Sequence, residues 1–299
     1  MRIYDFETVD VFTTDRFGGN PLAVFPDAQG LDAGRMQSLA AELNLSETTF
    51  VLPPADASGT ARVRIFNRTA EMAFAGHPCI GTAFVLARRG LVAGPRMAFE
   101  VPAGLVGVEV HVDGSGAPQG ATIEVPQPLS VGADVPIAHV AACLGLAAAE
   151  IRTVAHPPVV ATMGNPYVVV EVEPDALARC EPDRAAFRDA LAARGGTGDR
   201  FSLHAYVRDG DRVRARMFAP LAGTWEDPAT GSANAPLAAL LLSLDGGERL
   251  RIEVAQGVEM GRPSRLVVEA WVAADGIRAS VSGSCVAVLA GTFAEGSAG

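Results

Sequence analysis

The spacing of apolar positions outlines the fold. Residues 9–12 and 22–25 are short β-rich runs around the turn Phe17-Gly18-Gly19-Asn20-Pro21, which predicts paired strands. Met36, Leu39, Ala40 and Leu43 then recur at helical spacing, with Asp32 as a candidate N-cap and Asn44 as a candidate left-handed stop. Leu45-Ser46-Glu47 leads from a loop into a strand that runs to Leu52. Residues 61–66 set Arg62 and Arg64 against Val63 and Ile65, the alternation of a half-buried strand. A helix is predicted from Pro78, with Arg88-Arg89 on its last turn and Gly90 beyond. Strands follow near 97–101, 105–112 and 121–125.

The proline-spaced stretch 127–136 reads as a domain boundary, giving domains 1–127 and 128–280. Beyond it the pattern predicts helices over 137–144 and 182–194. Strands are predicted over 159–172, 201–207, 213–218, 250–255, 265–273 and 281–289.

The second half echoes the first. Asn20-Pro21-Leu22-Ala23-Val24 matches Asn165-Pro166-Tyr167-Val168-Val169, Arg64-Ile65-Phe66 matches Arg216-Met217-Phe218, and Gly81-Thr82-Ala83 matches Gly231-Ser232-Ala233, at offsets of 145, 152 and 150. Three matches in order point to duplication, and so to two similar mixed α+β domains with equivalent loops facing a cleft. His77-Pro78 and Asp227-Pro228 are read as equivalent too, each a polar residue before a proline at a loop-to-helix junction. Helix N-termini of that kind favour an anion.

At 299 residues and 49% hydrophobic content the chain can bury two cores, and its 32 glycines and 20 prolines fit many short strands. A net charge of −10 argues against a nucleic-acid partner. Cys79, Cys143, Cys180 and Cys285 lie far apart, which predicts reduced, cytosolic thiols. The first residues do not resemble a signal peptide, and no apolar run reaches the ~20 residues of a membrane span.

Glu47 is the leading candidate for acid/base chemistry. A carboxyl against apolar walls can exchange a proton near neutral pH, although a glutamate at a strand start is often a solvated edge residue. His77 could hold a substrate or shuttle protons, or merely cap a helix; Gly76 beside it would let a ligand approach the backbone. Asp227 suits either capping or ligand binding, and Ser232 lies within one helical turn of it. Cys79 is a candidate thiolate or an inward-packed residue. The five histidines lack metal-ligand spacing, and no phosphate-loop or dinucleotide motif follows a strand, so neither metal nor nucleotide cofactor is expected.

Taken together, several segments resemble the PhzF family of isomerases, a branch of the diaminopimelate epimerase-like fold. They are Asp10-Val11-Phe12, Gly19-Asn20-Pro21-Leu22-Ala23-Val24, Asn44-Leu45-Ser46-Glu47-Thr48, Ala75-Gly76-His77-Pro78 with Gly81-Thr82-Ala83, Asp227-Pro228-Ala229-Thr230-Gly231-Ser232-Ala233, and Gln256-Gly257 with Gly261-Arg262. The resemblance implies two pseudo-symmetric α+β domains, each a curled sheet or barrel around a central helix. The last strand, about 281–293, would return to the first domain. It also implies a homodimer and a site between the domains. The family's catalytic glutamate matches Glu47, its substrate-holding residues match His77, Asp227 and Ser232, and its anion-contacting glycines match Gly76 and Gly231.

Two departures stand out. Phe66-Asn67-Arg68 replaces the family's frequent Thr-Pro after the strand phenylalanine, so Arg68 could alter substrate choice. Ala75 and Pro228 stand roughly where the true epimerases carry their two thiols. The expectation is therefore a cofactor-independent proton shift by Glu47 on a small carboxylate, with trans-2,3-dihydro-3-hydroxyanthranilate isomerisation as archetype. The alternatives are an amino-acid epimerase or racemase using Cys79 as second base, and a non-catalytic small-carboxylate-binding or scaffolding protein.

Overall fold

The computed structural model describes residues 2–56, 58–196 and 201–296. In chain order the elements are β1 (Arg2–Val11), β2 (Asn20–Phe25), α1 (Ala33–Leu43), β3 (Glu47–Leu52), β4 (Ala61–Phe66), β5 (Glu71–Met72), α2 (Gly76–Arg88), β6 (Arg96–Val101), β7 (Gly104–Val112) and β8 (Pro118–Glu124). They continue with β9 (Ser130–Asp134), α3 (Ile137–Leu144), β10 (Ile151–Arg152), β11 (Val159–Thr162), β12 (Pro166–Val172), α4 (Arg184–Ala193), β13 (Leu203–Asp209), β14 (Arg212–Ala219) and β15 (Thr224–Asp227). The last are α5 (Gly231–Asp245), β16 (Arg249–Gln256), β17 (Ser264–Ala273) and β18 (Gly276–Glu295). Packing divides the chain into two compact units. The first runs to Glu124 and resumes at Ser282; the second is Val125–Val281.

In the first unit, β1, β2, β3, β4, β6, β7 and β8 pair in that order, and β18 joins β8 back to β1. The β2–β3 and β4–β6 pairs are parallel; β1–β2, β3–β4, β6–β7 and β7–β8 are antiparallel. A ring closed this way has no edge strand. At its seam a Cβ on Gly120 would lie 2.1 Å from the Gly283 carbonyl oxygen, so only glycine fits there. Helix α2 is apolar around its whole circumference, and every residue from Gly76 to Leu86 is buried. It packs against β1, β2, β3, β7 and β8. Outside the ring, α1 begins with the Asp32 side chain accepting the Arg35 N–H and ends at Asn44 with φ 51°. It covers an aromatic layer of Phe25, Phe50 and Phe66.

The second unit repeats the pairing. β11–β12 is antiparallel, β12–β13 parallel, β13–β14 antiparallel, β14–β16 parallel and β16–β17 antiparallel. Helix α5 packs against β11 and β12 at one end of this row and β16 and β17 at the other, so the sheet curls around it. Side chains repeat as well. Arg64 holds Glu71 with Nε and Nη2 at 2.7 and 2.6 Å and lies over the Phe66 ring; Arg216 holds Glu226 at 2.8 and 2.8 Å and lies over Phe218. The protein is thus an α+β fold of two like halves, each a curled sheet around a central helix.

The repeat departs from the sequence match at the helix starts. Each central helix begins five residues after the glutamate of this ion pair, at Gly76 and Gly231. Gly81-Thr82-Ala83 therefore lies beyond the first turn of α2, whereas Gly231-Ser232-Ala233 opens α5. The structural counterpart of Gly231-Ser232 is Gly76-His77. Neither His77 nor Asp227 caps a helix: His77 is the second residue of α2, and Asp227 ends β15. The residues flanking the helices are Ala75 and Thr230, and neither makes a side-chain cap bond.

Candidate active site

In the first unit the parallel β2–β3 pair sets Glu47 opposite Leu22, at the start of β3. Two residues on, Thr49 shares a hydrogen bond of 2.8 Å with Thr82 of α2, so this face of β3 points at the central helix. Glu47 accordingly meets the helix start, where His77 Nε2 lies 2.9 Å from Glu47 Oε2. The two side chains are only 7% and 15% exposed. The contact has the length of an ion pair but not the alignment of a hydrogen bond, and neither atom has another hydrogen-bond partner among the described residues. A buried carboxylate oxygen and ring nitrogen left this way are poised for a third group. Gly76 precedes His77 as the first helical residue and is itself buried. Its N–H belongs to the first turn, where no intrahelical acceptor exists.

Cys79 lies one turn further into α2 and has no exposed surface. Burial pushes its thiol up to about 12, which disfavours the thiolate that a second base would need. Arg68 sits in the exposed turn after β4. All four cysteines are buried free thiols. Among the described residues, no group of three or more His, Cys, Asp or Glu side chains is placed to hold a metal ion. Nor is any helix among them long and apolar enough to cross a membrane.

In the second unit Asp227, Gly231 and Ser232 gather at the start of α5. The Thr230 hydroxyl donates to Asp227 Oδ2. Gln256, fully buried at the end of β16, donates from Nε2 to the Asp227 carbonyl at 2.8 Å and to Thr230 Oγ1 at 2.9 Å. Its Oε1 accepts from the Thr230 N–H at 3.2 Å and from Asn234 Nδ2 at 2.8 Å. Behind it His204 Nε2 lies 3.0 Å from Asn234 Oδ1. Because Asn234 Nδ2 is the donor in its other bonds, its Oδ1 accepts and His204 carries its proton on Nε2. Burial lowers the His204 pKa to about 4, so the ring is neutral. Gly257, at φ +73°, brings the next turn against Pro228: a Cβ there would meet the Pro228 carbonyl oxygen at 2.6 Å. Ser232 shares a hydrogen bond of 2.7 Å with the Tyr167 hydroxyl.

Reasoning from the sequence singled out Glu47, His77, Asp227, Ser232, Gly76 and Gly231. The structure brings Glu47, His77 and Gly76 together in one unit, and Asp227, Ser232 and Gly231 together in the other. It adds Tyr167, Thr230, Asn234, His204 and Gln256, to which no role had been given. A signal was available: Asn234 is a lone amide in a long apolar helix, and Gln256 ends an alternating strand before a glycine.

A duplicated sheet wrapped on a buried helix places the protein in the diaminopimelate epimerase-like class of α+β folds. The sequence matches the PhzC-PhzF family, described as phenazine biosynthesis-like proteins, over residues 9–291. An uncharacterized isomerase of Mesorhizobium japonicum is 38% identical, covering 91% of this chain and 92% of its own. The trans-2,3-dihydro-3-hydroxyanthranilate isomerase of Pseudomonas aeruginosa is 36% identical over 99% of both chains. Among solved structures, the PhzF-family phenazine biosynthesis protein of Bacillus anthracis superposes with a TM-score of 0.87 at 25% identity, over 99% of this chain and 100% of that one. The chain belongs to the PhzC-PhzF family and is an enzyme of the isomerase class.

Proposed function

We propose that the protein is a cofactor-independent isomerase that moves a proton within a small cyclic carboxylate, with trans-2,3-dihydro-3-hydroxyanthranilate as the model substrate. Glu47 takes the proton from an acidic carbon and returns it elsewhere on the conjugated system. His77 orients a polar group of the substrate and keeps the carboxylate in place. Asp227 and Ser232 are substrate-binding groups. The N–H groups of Gly76 and Gly231, each at the start of a helix, are anion-binding groups for a carboxylate and for charge that develops during transfer. One carboxyl suffices for a shift along one face, so no second base is needed. The working enzyme is proposed to be a cytoplasmic homodimer.

The observation that carries this reading is the buried Glu47–His77 contact, whose facing atoms have no other hydrogen-bond partner among the described residues. The Pseudomonas aeruginosa relative, whose name states that reaction, supports the choice of substrate class. The buried Cys79 thiol counts against a two-base epimerase. The test is incubation with trans-2,3-dihydro-3-hydroxyanthranilate in heavy water. Isomerisation is expected, with deuterium entering the ring in those turnovers in which the Glu47 carboxyl exchanges its proton with solvent before returning it, together with loss of turnover in Glu47→Gln. A Glu47→Gln enzyme that still isomerises at a near-normal rate overturns the assignment.

A further inference from the structure

The two halves of the chain offer an internal comparison at the start of their central helices. In the second unit five side chains form one hydrogen-bonded line: His204 to Asn234, Asn234 to Gln256, Gln256 to Thr230, Thr230 to Asp227. The pairing registers identify the counterparts in the first unit. Val101 ends β6 as Gln256 ends β16. Ala75 flanks α2 as Thr230 flanks α5, Cys79 is the fourth helical residue as Asn234 is, and Met72 stands for Asp227. Thr49 stands for His204. Four of the five counterparts thus lack an oxygen or nitrogen in the side chain, and the same helix still begins at the same place. The fold does not require this line of polar groups. A buried polar network is costly unless every member is satisfied, so one confined to a single half serves something other than folding.

Its donors and acceptors have a direction. Gln256 Nε2 donates to Thr230 Oγ1, which obliges the threonine hydroxyl to point its own proton at Asp227 Oδ2. The same amide holds the Asp227 carbonyl, and its oxygen holds the Thr230 N–H, so both ends of the segment 227–230 are fixed by one side chain. Asn234 fixes which way the Gln256 amide faces, and the neutral His204 fixes Asn234.

We propose that Gln256 is a positioning residue: backed by Asn234 and His204, it acts through Thr230 to hold the Asp227 carboxylate and the first N–H groups of α5 in a substrate-binding arrangement. The proposal rests on the reading of Asp227 as a substrate-binding group given above. Gln256 touches no substrate; its effect on catalysis passes entirely through Asp227 and the helix start.

The test is a double-mutant cycle read by calorimetric binding of 3-hydroxyanthranilate, the aromatic acid with the ring substituents of the model substrate. Amide hydrogen exchange is followed in parallel. Gln256→Leu should weaken binding and raise KM by about tenfold, with kcat changed by less than about threefold because Glu47 is untouched. In an Asp227→Asn background the same substitution should cost less than about twofold more, as expected for two residues acting as a unit. Should Gln256→Leu fold poorly, Thr230 supplies the second comparison, and Thr230→Ser should bind at least about tenfold better than Thr230→Val. Exchange at Ala233 and Asn234, whose N–H groups donate to the Thr230 carbonyl, should rise about tenfold or more in Gln256→Leu, while exchange in α2 stays constant. Additive losses in the cycle, equal binding by the two Thr230 variants, or unchanged exchange at Ala233 and Asn234 each overturn the proposal. Failure of the unmodified enzyme to bind the acid removes the functional reading instead; the exchange result then decides the clamp alone.

Discussion

His77 Nε2 and Glu47 Oε2 lie 2.9 Å apart, one from the first turn of the central helix and the other from the start of the neighbouring strand. Removing the charge of Glu47 without changing its size separates proton transfer from binding. Glu47→Gln should lower kcat by about 1,000-fold, within the range for loss of a general acid/base group. Its dissociation constant for 3-hydroxyanthranilate should stay within about threefold of the parent. Steady-state kinetics and calorimetry on one preparation check both halves of the expectation.

Cys79 tests the alternative chemistry. With its thiol pushed up to about 12 and no exposed surface, it should react with iodoacetamide in the native state far more slowly than in urea. Cys79→Ala should keep turnover within about twofold and cost about 1 kcal/mol of stability for the lost packing. A large loss of α-proton exchange in Cys79→Ala would return the enzyme to the two-base class.

Glu7 supplies a pH dependence of stability. Its carboxylate is nearly inaccessible on β1 and takes hydrogen bonds from Arg88 and Arg89 at the end of α2. Burial opposes its charge, but the two guanidiniums outweigh that and hold its pKa below the ordinary value of 4.5. The folded carboxyl binds its proton less readily than the unfolded one. Its stabilisation is therefore complete above that ordinary value and fades as the pH falls through the lower folded one. Glu7→Gln should cost about 2–3 kcal/mol at neutral pH, by leaving two cations short of their partner. Denaturant melts at pH 7 and pH 3 should show the gap between variant and parent shrinking at the lower pH.

Gly120 tests the closure of the first ring. A methyl group there would sit 2.1 Å from the Gly283 carbonyl oxygen and 2.7 Å from Ser284 Cα, both backbone atoms with nowhere to move. Gly120→Ala should destabilise the protein by about 2 kcal/mol or more through overpacking. Gly107, on the adjacent strand β7, has nothing within 4 Å of such a methyl and provides the control. Thermal melts of the two variants should differ by about 5 °C or more on the usual scaling.

The local signals in the sequence were sound where one short-range force decides the outcome. Asp32 and Asn44 bracket α1 because a cap bond and a left-handed residue are properties of a few neighbouring atoms. Glu47 and His77 were legible through motifs, and the structure adds that the strand and helix starts bring them into contact. The helix starts were not legible. Proline made Asp227-Pro228 look like a helix entry, yet β15 runs through Asp227 and the helix waits for Gly231. What the two halves share at that boundary is an ion pair across neighbouring strands five residues before the helix, Arg216–Glu226 and Arg64–Glu71, which no motif around Asp227-Pro228 contains. The polar line behind Asp227 escaped for the same reason: His204, Asn234 and Gln256 are ordinary residues until three elements place them within reach of one another.

Strand β18 contributes residues to both units, and its second half pairs with β1 across Arg2–Val11. The ribosome therefore releases seven staves of the first barrel long before the eighth exists. The second unit has almost all of its strands in hand by then. The half made first is the half completed last, and α2 must wait, with its apolar surface incompletely wrapped, until β18 has been made.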